Sequence, residues 1–212
     1  MTIPLYLIAL FIAVGLAWRL VSRRHALPCP AWLRWMVELD NPFAASNKAA
    51  FIVAQLQIEP GMQVLDAGCG PGRVTLPLAR AVGPQGRVLA LDLQPAMLEL
   101  VRTKAEAEGL DQVRTQAAAL GQGQLAPGQH DRAVIAAVLG EIPDRRAALA
   151  DLFHSLKPGG LLAVAELVFD PHFQPRSSVE KLAHSVGFQS HGFHGHKAAY
   201  LLVLQRPVAE MP

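Results

Sequence analysis

The stretch Val64–Val74, VLDAGCGPGRV, places an acidic residue and three alternate glycines directly after a short apolar run. This order is typical of a strand that ends in a tight turn, where bare backbone can lie close to a ligand. The dinucleotide-binding pattern G-x-G-x-x-G fails here, because its third glycine falls on Arg73. A phosphate-binding P-loop fails as well, since no Lys-Ser or Lys-Thr pair follows.

Short apolar runs alternate with helical patterns from Gln63 onward. This alternation predicts an α/β fold with a Rossmann-like, seven-stranded and mostly parallel sheet that carries helices on both faces. Ligands on such sheets bind beyond the carboxyl ends of the strands, near the switch point in strand order. The predicted strands are Gln63–Ala67, Arg87–Asp92, Val113–Ala117, Ala133–Leu139 and Leu161–Leu167, then a hairpin around Phe188 and Ala198–Gln205; the predicted helices are Arg73–Val82, Pro95–Glu108, Arg145–Leu156 and one that ends at Gly187.

Four stretches together resemble a known family. They are VLDAGCGPGRVTLPLA (64–79), RVLALDLQPAMLELV (87–101), AAVLGEIPDR (136–145) and LKPGGLLAVAEL (156–167). With them, residues 60–207 resemble the class I S-adenosylmethionine (SAM)-dependent methyltransferases, and within that class the quinone-biosynthesis and phospholipid methyltransferase-like group. The resemblance implies that SAM is the cofactor.

The resemblance also implies which residues hold SAM. The backbone of Gly68, Cys69 and Gly70 would lie along the methionine part, Asp66 would order this turn and the ligand amine, and Asp92 would accept hydrogen bonds from the ribose hydroxyls. Asp66 as an acid that only holds the turn, and Asp92 as a helix cap, are the alternatives. The full set of predicted cofactor-binding residues is Asp66, Gly68, Cys69, Gly70, Asp92, Leu93, Ala119, Leu120 and Leu139.

The chain departs from the family pattern after the third strand. Family members often carry an acid there that meets the adenine amino group, but Ala118 and Ala119 occupy these positions. Adenine would then be held by backbone, by packing against Leu93 and Leu120, or by Gln122.

The acceptor side is expected in the segment LGEIPD after the fourth strand. Methyl transfer is an in-line displacement in which alignment supplies much of the acceleration, so no obligatory acid–base pair is expected. Residues 139–142 would line the pocket, and Glu141 is the candidate to orient or deprotonate the acceptor. The alternative for Glu141 is a solvated loop acid.

The segment HGFHGH, residues 191–196, raises the question of a metal site. His194 and His196 would share one face of a strand, but no cysteine or carboxylate cluster accompanies them in the sequence. We therefore predict turn and edge histidines in the final hairpin, and no metal.

The N-terminal segment predicts a membrane anchor. Residues Ile3–Val21 carry no charge before Arg19, and a helix of about 20 such residues spans a bilayer. Arg19, Arg23 and Arg24 follow the apolar run, which favours a cytoplasmic location for the rest of the chain. A cleaved signal peptide and a buried core helix are the alternatives.

These observations predict three regions: an anchor (1–25), a linker with amphipathic or lid helices (26–59) and the SAM-dependent methyltransferase domain (60–207). Trp32 and Trp35 would lie on the bilayer or on the domain. The expected location is the cell membrane, with a single-pass anchor and a cytoplasmic catalytic domain.

The predicted function is methyl transfer to a small or lipid-like acceptor at the membrane. A protein lysine methyltransferase that acts on a membrane protein, and a non-catalytic SAM-binding protein, are the alternatives. The first 34 residues hold four of the 19 basic residues and no acid, so the other 15 basic residues face 17 acidic ones. This balance argues against a nucleic-acid partner, and the sequence gives no oligomeric state.

Overall fold

Seven strands form one sheet in the computed structural model, which describes residues 44–208 together with Ala13. Their order is β3-β2-β1-β4-β5-β7-β6. Neighbours from β3 to β5 pair in parallel, whereas β7 runs antiparallel to both β5 and β6. The predicted Rossmann-like, mostly parallel sheet is confirmed. The strands are β1 (Gln63–Ala67), β2 (Arg87–Asp92), β3 (Val113–Ala117), β4 (His130–Ala136), β5 (Leu156–Leu167), β6 (Gln189–His196) and β7 (Ala199–Gln205).

Helices cover both faces of this sheet, as predicted. One core lies between the sheet and α1, α2 and α3, with Ile52, Leu78 and Val101 buried in it. The other lies between the sheet and α4 and α5, and it buries Leu149 and Val179. The helices are α1 (Ala49–Gln55), α2 (Thr75–Val82), α3 (Pro95–Ala107), α4 (Arg145–Ser155) and α5 (Arg176–Val186).

The fourth strand ends earlier than the sequence pattern indicated. We predicted Ala133–Leu139, but β4 spans His130–Ala136, and residues Leu139–Glu141 form a 3₁₀ turn. The reason is the backbone of Ala137, which has a φ of 57° and so leaves the extended region. The apolar run therefore continues past the point where the strand stops.

Smaller corrections affect other boundaries. The second helix begins at Thr75 and not at Arg73, because the glycine turn continues through residue 74. The strand β5 begins at Leu156, five residues before the predicted start. The predicted end of α5 at Gly187 is confirmed, and the φ of 115° at this residue suits glycine at the end of a helix.

The strand order reverses between β1 and β4, and Ala67 at the end of β1 has a partner on either side. This residue pairs with Leu91 on β2 and with Ile135 on β4. The carboxyl ends of β1, β2, β4 and β5 thus meet at one side of the sheet, here called the carboxyl edge. The glycine turn follows β1 at this edge, which is where α/β proteins bind ligands.

The predicted anchor (1–25) lies outside the described residues, apart from Ala13, and so does the segment with Trp32 and Trp35. In the part of the chain that the structure describes, no helix has the length and apolar character needed to cross a bilayer. The described part of the predicted linker region contains the helix α1.

Candidate functional site

The glycine turn is built from backbone conformations that favour glycine. Gly68 and Gly70 have φ values of 77° and 50°, a region that other residues rarely adopt. The N–H groups of Gly68 and Cys69 both donate to the carbonyl oxygen of Leu91, over 2.7 and 2.9 Å. A Cβ on Gly68 would lie 2.6 Å from the Val138 side chain. The glycine turn after β1 thus packs its backbone against the end of β2 and against the segment that follows β4.

Asp92 joins this turn to the end of β2. Its Oδ2 atom accepts a hydrogen bond from Gly70 N over 2.9 Å, and its Oδ1 atom accepts one from Gln94 N over 2.9 Å. The residue is buried, with 9% of its surface exposed. Each carboxylate oxygen has two lone pairs, so both oxygens keep acceptor capacity for ribose hydroxyls. Asp92 is therefore more than a cap at the start of α3, because it also accepts a hydrogen bond from the glycine turn.

Asp66 lies at the end of β1 and is almost fully buried. Its Oδ2 atom accepts a hydrogen bond from the Thr75 hydroxyl over 2.6 Å. Burial raises the pKa of this carboxyl to about 6, although the Thr75 bond and the charge of Arg73 oppose the rise. The bond to Thr75 ties the end of β1 to the first turn of α2. The predicted roles of Asp66, to order the glycine turn and to contact the ligand amine, stay predictions.

Cys69 is buried within the glycine turn and forms no disulfide. Burial raises the pKa of its thiol far above the ordinary value, and the nearby charges of Asp66 and Asp92 raise it further. A neutral thiol is a poor nucleophile. The thiol of Cys69 is therefore neutral, and the contact of its backbone with the ligand stays a prediction.

Leu93 extends from the carboxyl edge into solvent directly after Asp92. Its side chain is 62% exposed, which is unusual for so large an apolar group. An exposed apolar side chain beside Asp92, the acid predicted to bind ribose, would suit contact with the face of adenine. This placement fits the predicted packing of Leu93 against the base.

The loop after β3 approaches the same region. Ala118 N donates to the carbonyl oxygen of Asp92 over 3.2 Å, which places the following Ala119 and Leu120, both half-buried, near this edge. Farther along, Asp151 on α4 accepts hydrogen bonds from the backbone N–H groups of Gly121 and Gly123. A carboxylate from another element thus holds this loop. Adenine contacts of Ala119 and Leu120 stay predictions.

The turn after β4 carries the predicted acceptor-side residues. Leu139 has no exposed surface and packs in the core beneath α4, so a ligand contact through its side chain stays a prediction. Glu141 is half-buried at the end of the 3₁₀ turn, and its charge acts on the carboxyl of Glu166. The proposed catalytic role of Glu141 also stays a prediction.

A second buried acid, Glu166, lies at the end of β5. It is 1% exposed, and its Oε2 atom accepts a hydrogen bond from Gln174 N over 2.9 Å. Its Oε1 atom has no hydrogen-bond partner within the described part of the chain. Burial raises the pKa of this carboxyl to about 8; the charges of Asp170 and Glu141 raise it as well, whereas the bond from Gln174 and the charge of Arg145 lower it.

Arg145 begins α4 on the same side of the sheet. One guanidinium N–H donates to the carbonyl oxygen of Gly140 over 3.1 Å. The Nε atom is buried and has no hydrogen-bond partner among the residues that the structure describes. The loop after β5 closes over this region, since a Cβ on Gly140 would collide with the His172 carbonyl group.

The histidines of β6 lie on the edge strand of the sheet, where the hairpin was predicted. His194 packs edge-on against Phe51, with ring centroids 5.4 Å apart, and His196 Nδ1 accepts a hydrogen bond from Ala198 N over 3.3 Å. Within residues 44–208, no three histidine, cysteine or acidic side chains are grouped so that they could hold a metal.

Three site residues were not predicted from the sequence. Thr75 is the first residue of the helix after the glycine turn. Its hydroxyl is the feature of the sequence that could have indicated a hydrogen bond with Asp66. Glu166 is the one acid in the run LLAVAEL, where a charge in an apolar strand is costly and thus informative. In the sequence, Arg145 is an ordinary residue at the start of a predicted helix. Only the fold brings its charge near Glu166.

Comparison with known proteins agrees with this geometry. A family profile described as "Methyltransferase domain" matches residues 64–160, the stretch that contains the glycine turn, Asp92 and the turn after β4. This stretch, a little under half of the chain, is thus similar to a methyltransferase domain. The domain supplies the residue types that SAM requires: bare backbone at the turn, an acid with spare acceptor capacity and an exposed apolar side chain next to it.

Curated relatives share this domain over part of their length. A demethylmenaquinone methyltransferase from Geobacillus stearothermophilus is 30% identical over 115 residues, which is 54% of this chain and 49% of that protein. The ubiquinone/menaquinone biosynthesis C-methyltransferase UbiE from Shewanella frigidimarina is 35% identical over 114 residues, 53% of this chain and 45% of that protein. The chain thus spans about half the length of these relatives.

Solved structures show the same fold. A SAM-dependent methyltransferase from Aquifex aeolicus superposes with a TM-score of 0.74, at 18% sequence identity, over 84% of this chain and 100% of that chain. Together with the matched domain, this likeness supports the methyltransferase class and SAM as its cofactor.

Proposed function

We propose that this protein transfers the methyl group of SAM to a small or lipid-like acceptor at the cytoplasmic face of a membrane. The observation that carries the proposal is the hydrogen bond between Asp92 and Gly70 at the switch point of a methyltransferase domain. This bond holds Asp92, the acid proposed to bind ribose, next to the glycine turn, so that the two form one proposed binding surface.

SAM supplies an electrophilic methyl group on a sulfonium. The chain's own residues would hold and orient it: the backbone of Gly68–Gly70 would lie along the methionine part, Asp92 would accept hydrogen bonds from the ribose hydroxyls, and Leu93 would cover adenine. The neutral thiol of Cys69 does not compete for the methyl group. Acceleration then rests on alignment of the acceptor with the methyl group, on the side of the turn after β4.

The acceptor class we favour is a reduced quinone with a lipid tail. The support is twofold: the relatives named above act, by their names, on demethylmenaquinone or in ubiquinone and menaquinone biosynthesis, and Phe169, in the loop after β5, is 76% exposed. An exposed aromatic side chain next to the site suits an apolar ligand or the bilayer surface. The N-terminal segment 1–25, proposed as a single-pass anchor, would keep the site close to such a substrate.

Two other functions compete with this one. A protein lysine methyltransferase would use the same SAM site but act on a membrane protein. A non-catalytic SAM-binding protein is favoured by one observation, the alanines at positions 118 and 119 where an adenine-binding acid is common in the resembling family. Fold alone does not choose between them.

One experiment separates the three functions. Membranes that contain the full chain are incubated with SAM labelled in the methyl group, and the label is followed into the organic extract and into protein bands. We expect label in the extract, and loss of that label in the Asp92→Ala variant. Label in a protein band supports the lysine methyltransferase, and label in neither fraction supports a non-catalytic protein.

A further inference from the structure

The register of the sheet places Glu166 near the glycine turn. Ala136 on β4 pairs with Ala165 on β5, and Ile135 pairs with Ala67 at the end of β1. Glu166 is therefore level with the first residues of the turn, two strands away from β1. Strands lie about 4.8 Å apart, so the separation is about 10 Å. This distance leaves room for an acceptor between SAM and Glu166.

The side chain of Glu166 lies on the face that carries α4 and α5. Leu162 and Val164, which alternate with it along β5, belong to the core on that face. The turn Leu139–Glu141 and the start of α4 at Arg145 lie on the same face and act on Glu166 electrostatically. Glu166 thus faces the segment after β4 that the sequence predicted for the acceptor.

Two complementary groups are left without partners at this place. Glu166 Oε1 is a buried acceptor and Arg145 Nε–H is a buried donor, and neither has a hydrogen-bond partner among the described residues. Buried polar groups are almost always paired in proteins, and exceptions often mark a position that a ligand completes. A hydroxyl group satisfies both, since it donates one hydrogen bond and accepts others.

We propose that Glu166 and Arg145 bind a hydroxyl group of the methyl acceptor, which donates to Glu166 Oε1 and accepts from Arg145 Nε. The inference rests on the proposed function and names the chemistry of its substrate: a phenol, or a related acidic hydroxyl. Access to Glu166 requires a shift of the loop 168–175. The bonds that hold this loop include the Gln174 N–H bond to Glu166, the Tyr200 hydroxyl bond to the Gln174 carbonyl oxygen and the Val168 N–H bond to the Ala198 carbonyl oxygen.

The chemical step balances with these two residues. Glu166 takes the hydroxyl proton, and the electron pair freed in this way forms the new bond to the methyl carbon, at oxygen or at a conjugated ring carbon. The methyl–sulfur bond breaks, and its electron pair stays on sulfur as S-adenosylhomocysteine. Arg145 stabilises the negative charge that develops on the acceptor oxygen. When a ring carbon is methylated, the proton of that carbon is lost to solvent.

The charges around Glu166 determine how this step depends on pH. Asp170 and Glu141 favour the protonated carboxyl, whereas Arg145 and the hydrogen bond from Gln174 favour the carboxylate. The charge of Glu166 also acts on the phenol of Tyr200 on β7. With the pKa of Glu166 near 8, the carboxylate that accepts the proton becomes more populated as pH rises from 6 to 8. Transfer should therefore accelerate over this range in a way that depends on Glu166.

The binding test uses 1-naphthol and its methyl ether, 1-methoxynaphthalene, with the full chain and S-adenosylhomocysteine. The ether carries a methyl group in place of the hydroxyl hydrogen, so its oxygen accepts a hydrogen bond but donates none; the Glu166→Gln comparison separates this loss from the added bulk. We expect the wild type to bind the naphthol at least about tenfold more tightly than the ether, and Glu166→Gln to reduce this preference to about twofold or less. Arg145→Lys, which keeps the charge but removes Nε, should reduce it in the same direction.

Two control variants separate recognition from loop order. Tyr200→Phe removes the neighbouring tether of the same loop but leaves Glu166 intact, so the preference for naphthol should persist. Glu108→Gln, at the end of α3 where its carboxylate pairs with Arg80, should behave as the wild type. S-adenosylhomocysteine affinity should stay within about twofold in all variants, since none of them touches Gly70 or Asp92.

The outcomes distinguish this inference from the proposed function. Equal binding of both probes by the wild type, or an unchanged preference in Glu166→Gln, overturns the inference even where methyl transfer to a lipid extract is found. A preference that depends on Glu166, in a protein that transfers no methyl group, keeps the hydroxyl site and refutes the proposed activity. Equal loss in Tyr200→Phe and Glu166→Gln shows loop order alone and also overturns the inference.

Discussion

The carboxylate of Asp92 accepts a hydrogen bond from the backbone N–H of Gly70 over 2.9 Å, so the acid that ends β2 is bonded to the turn that follows β1. The second oxygen of this carboxylate accepts from Gln94 N. The shape of the glycine turn therefore depends on the same side chain that we propose binds ribose. A change at Asp92 affects both.

Asp92→Ala should weaken SAM binding in a folded protein. Loss of a charged acceptor costs roughly 1.5–3 kcal/mol, which corresponds to about a 10-fold to 150-fold lower affinity. Calorimetric titration of the full chain measures it, with the exposed Asp111→Ala on the loop before β3 as a control of equal charge change. Unchanged affinity in a folded Asp92→Ala variant would remove this residue from the site.

Gly68→Ala should destabilise the fold and abolish SAM binding. The new Cβ meets both methyl groups of Val138 at 2.6 Å, and the φ of 77° adds strain. Left-handed backbone costs about 1–2 kcal/mol and overpacking about 1–3 kcal/mol more. Thermal unfolding measures the loss. Gly109→Ala, just after α3, is the control, because its φ is 66° and no atom lies within 4 Å of the added Cβ; equal losses in both variants would show that the contact with Val138 does not matter.

Asp66 should make stability fall as pH rises from about 4 to 6. Burial raises the pKa of this acid from 3.8 to about 6, so the folded state binds the proton more tightly than the unfolded state. The favourable contribution is complete below the unfolded pKa and is lost as pH rises through the folded one. Asp66→Asn keeps an acceptor for Thr75, so its stability relative to wild type should rise by up to roughly 3 kcal/mol across this range. Urea unfolding at a series of pH values measures the difference; a difference independent of pH contradicts the burial argument.

The anchor proposal predicts that the full chain resists an alkaline carbonate wash of membranes. Arg19, Arg23 and Arg24 should hold the downstream chain in the cytoplasm, so a C-terminal reporter that works only outside the cytoplasm should stay inactive. Deletion of residues 1–25 should release the protein from carbonate-washed membranes. Release of the full chain by carbonate would refute the anchor, and an active reporter would invert its orientation.

The strands β1, β2 and β3 were predicted with their observed boundaries. β1 and β2 are short apolar runs, whereas β3 (VRTQA) follows the helix end at Gly109 and has a mostly polar sequence. The end of β4 was missed, since the left-handed backbone of Ala137 interrupts an apolar run that shows no break in the sequence. The grouping of Asp66, the glycine turn and Asp92 at one edge of the sheet could be predicted, because these residues end or follow neighbouring strands that lie close together in the chain. Glu166 and Arg145 could not be paired in this way, because only the packing of α4 on the sheet brings their charges into reach.

The most direct test of the account is methyl transfer by the full-length protein to demethylmenaquinol, the reduced form of demethylmenaquinone, in detergent. Mass spectrometry follows the quinol, and the amount of S-adenosylhomocysteine is measured in the same sample. We predict that the quinol gains one methyl group for each S-adenosylhomocysteine formed, and that Asp92→Ala loses both products together. A protein that binds SAM but leaves demethylmenaquinol and every component of the membrane extract unmethylated would contradict the account.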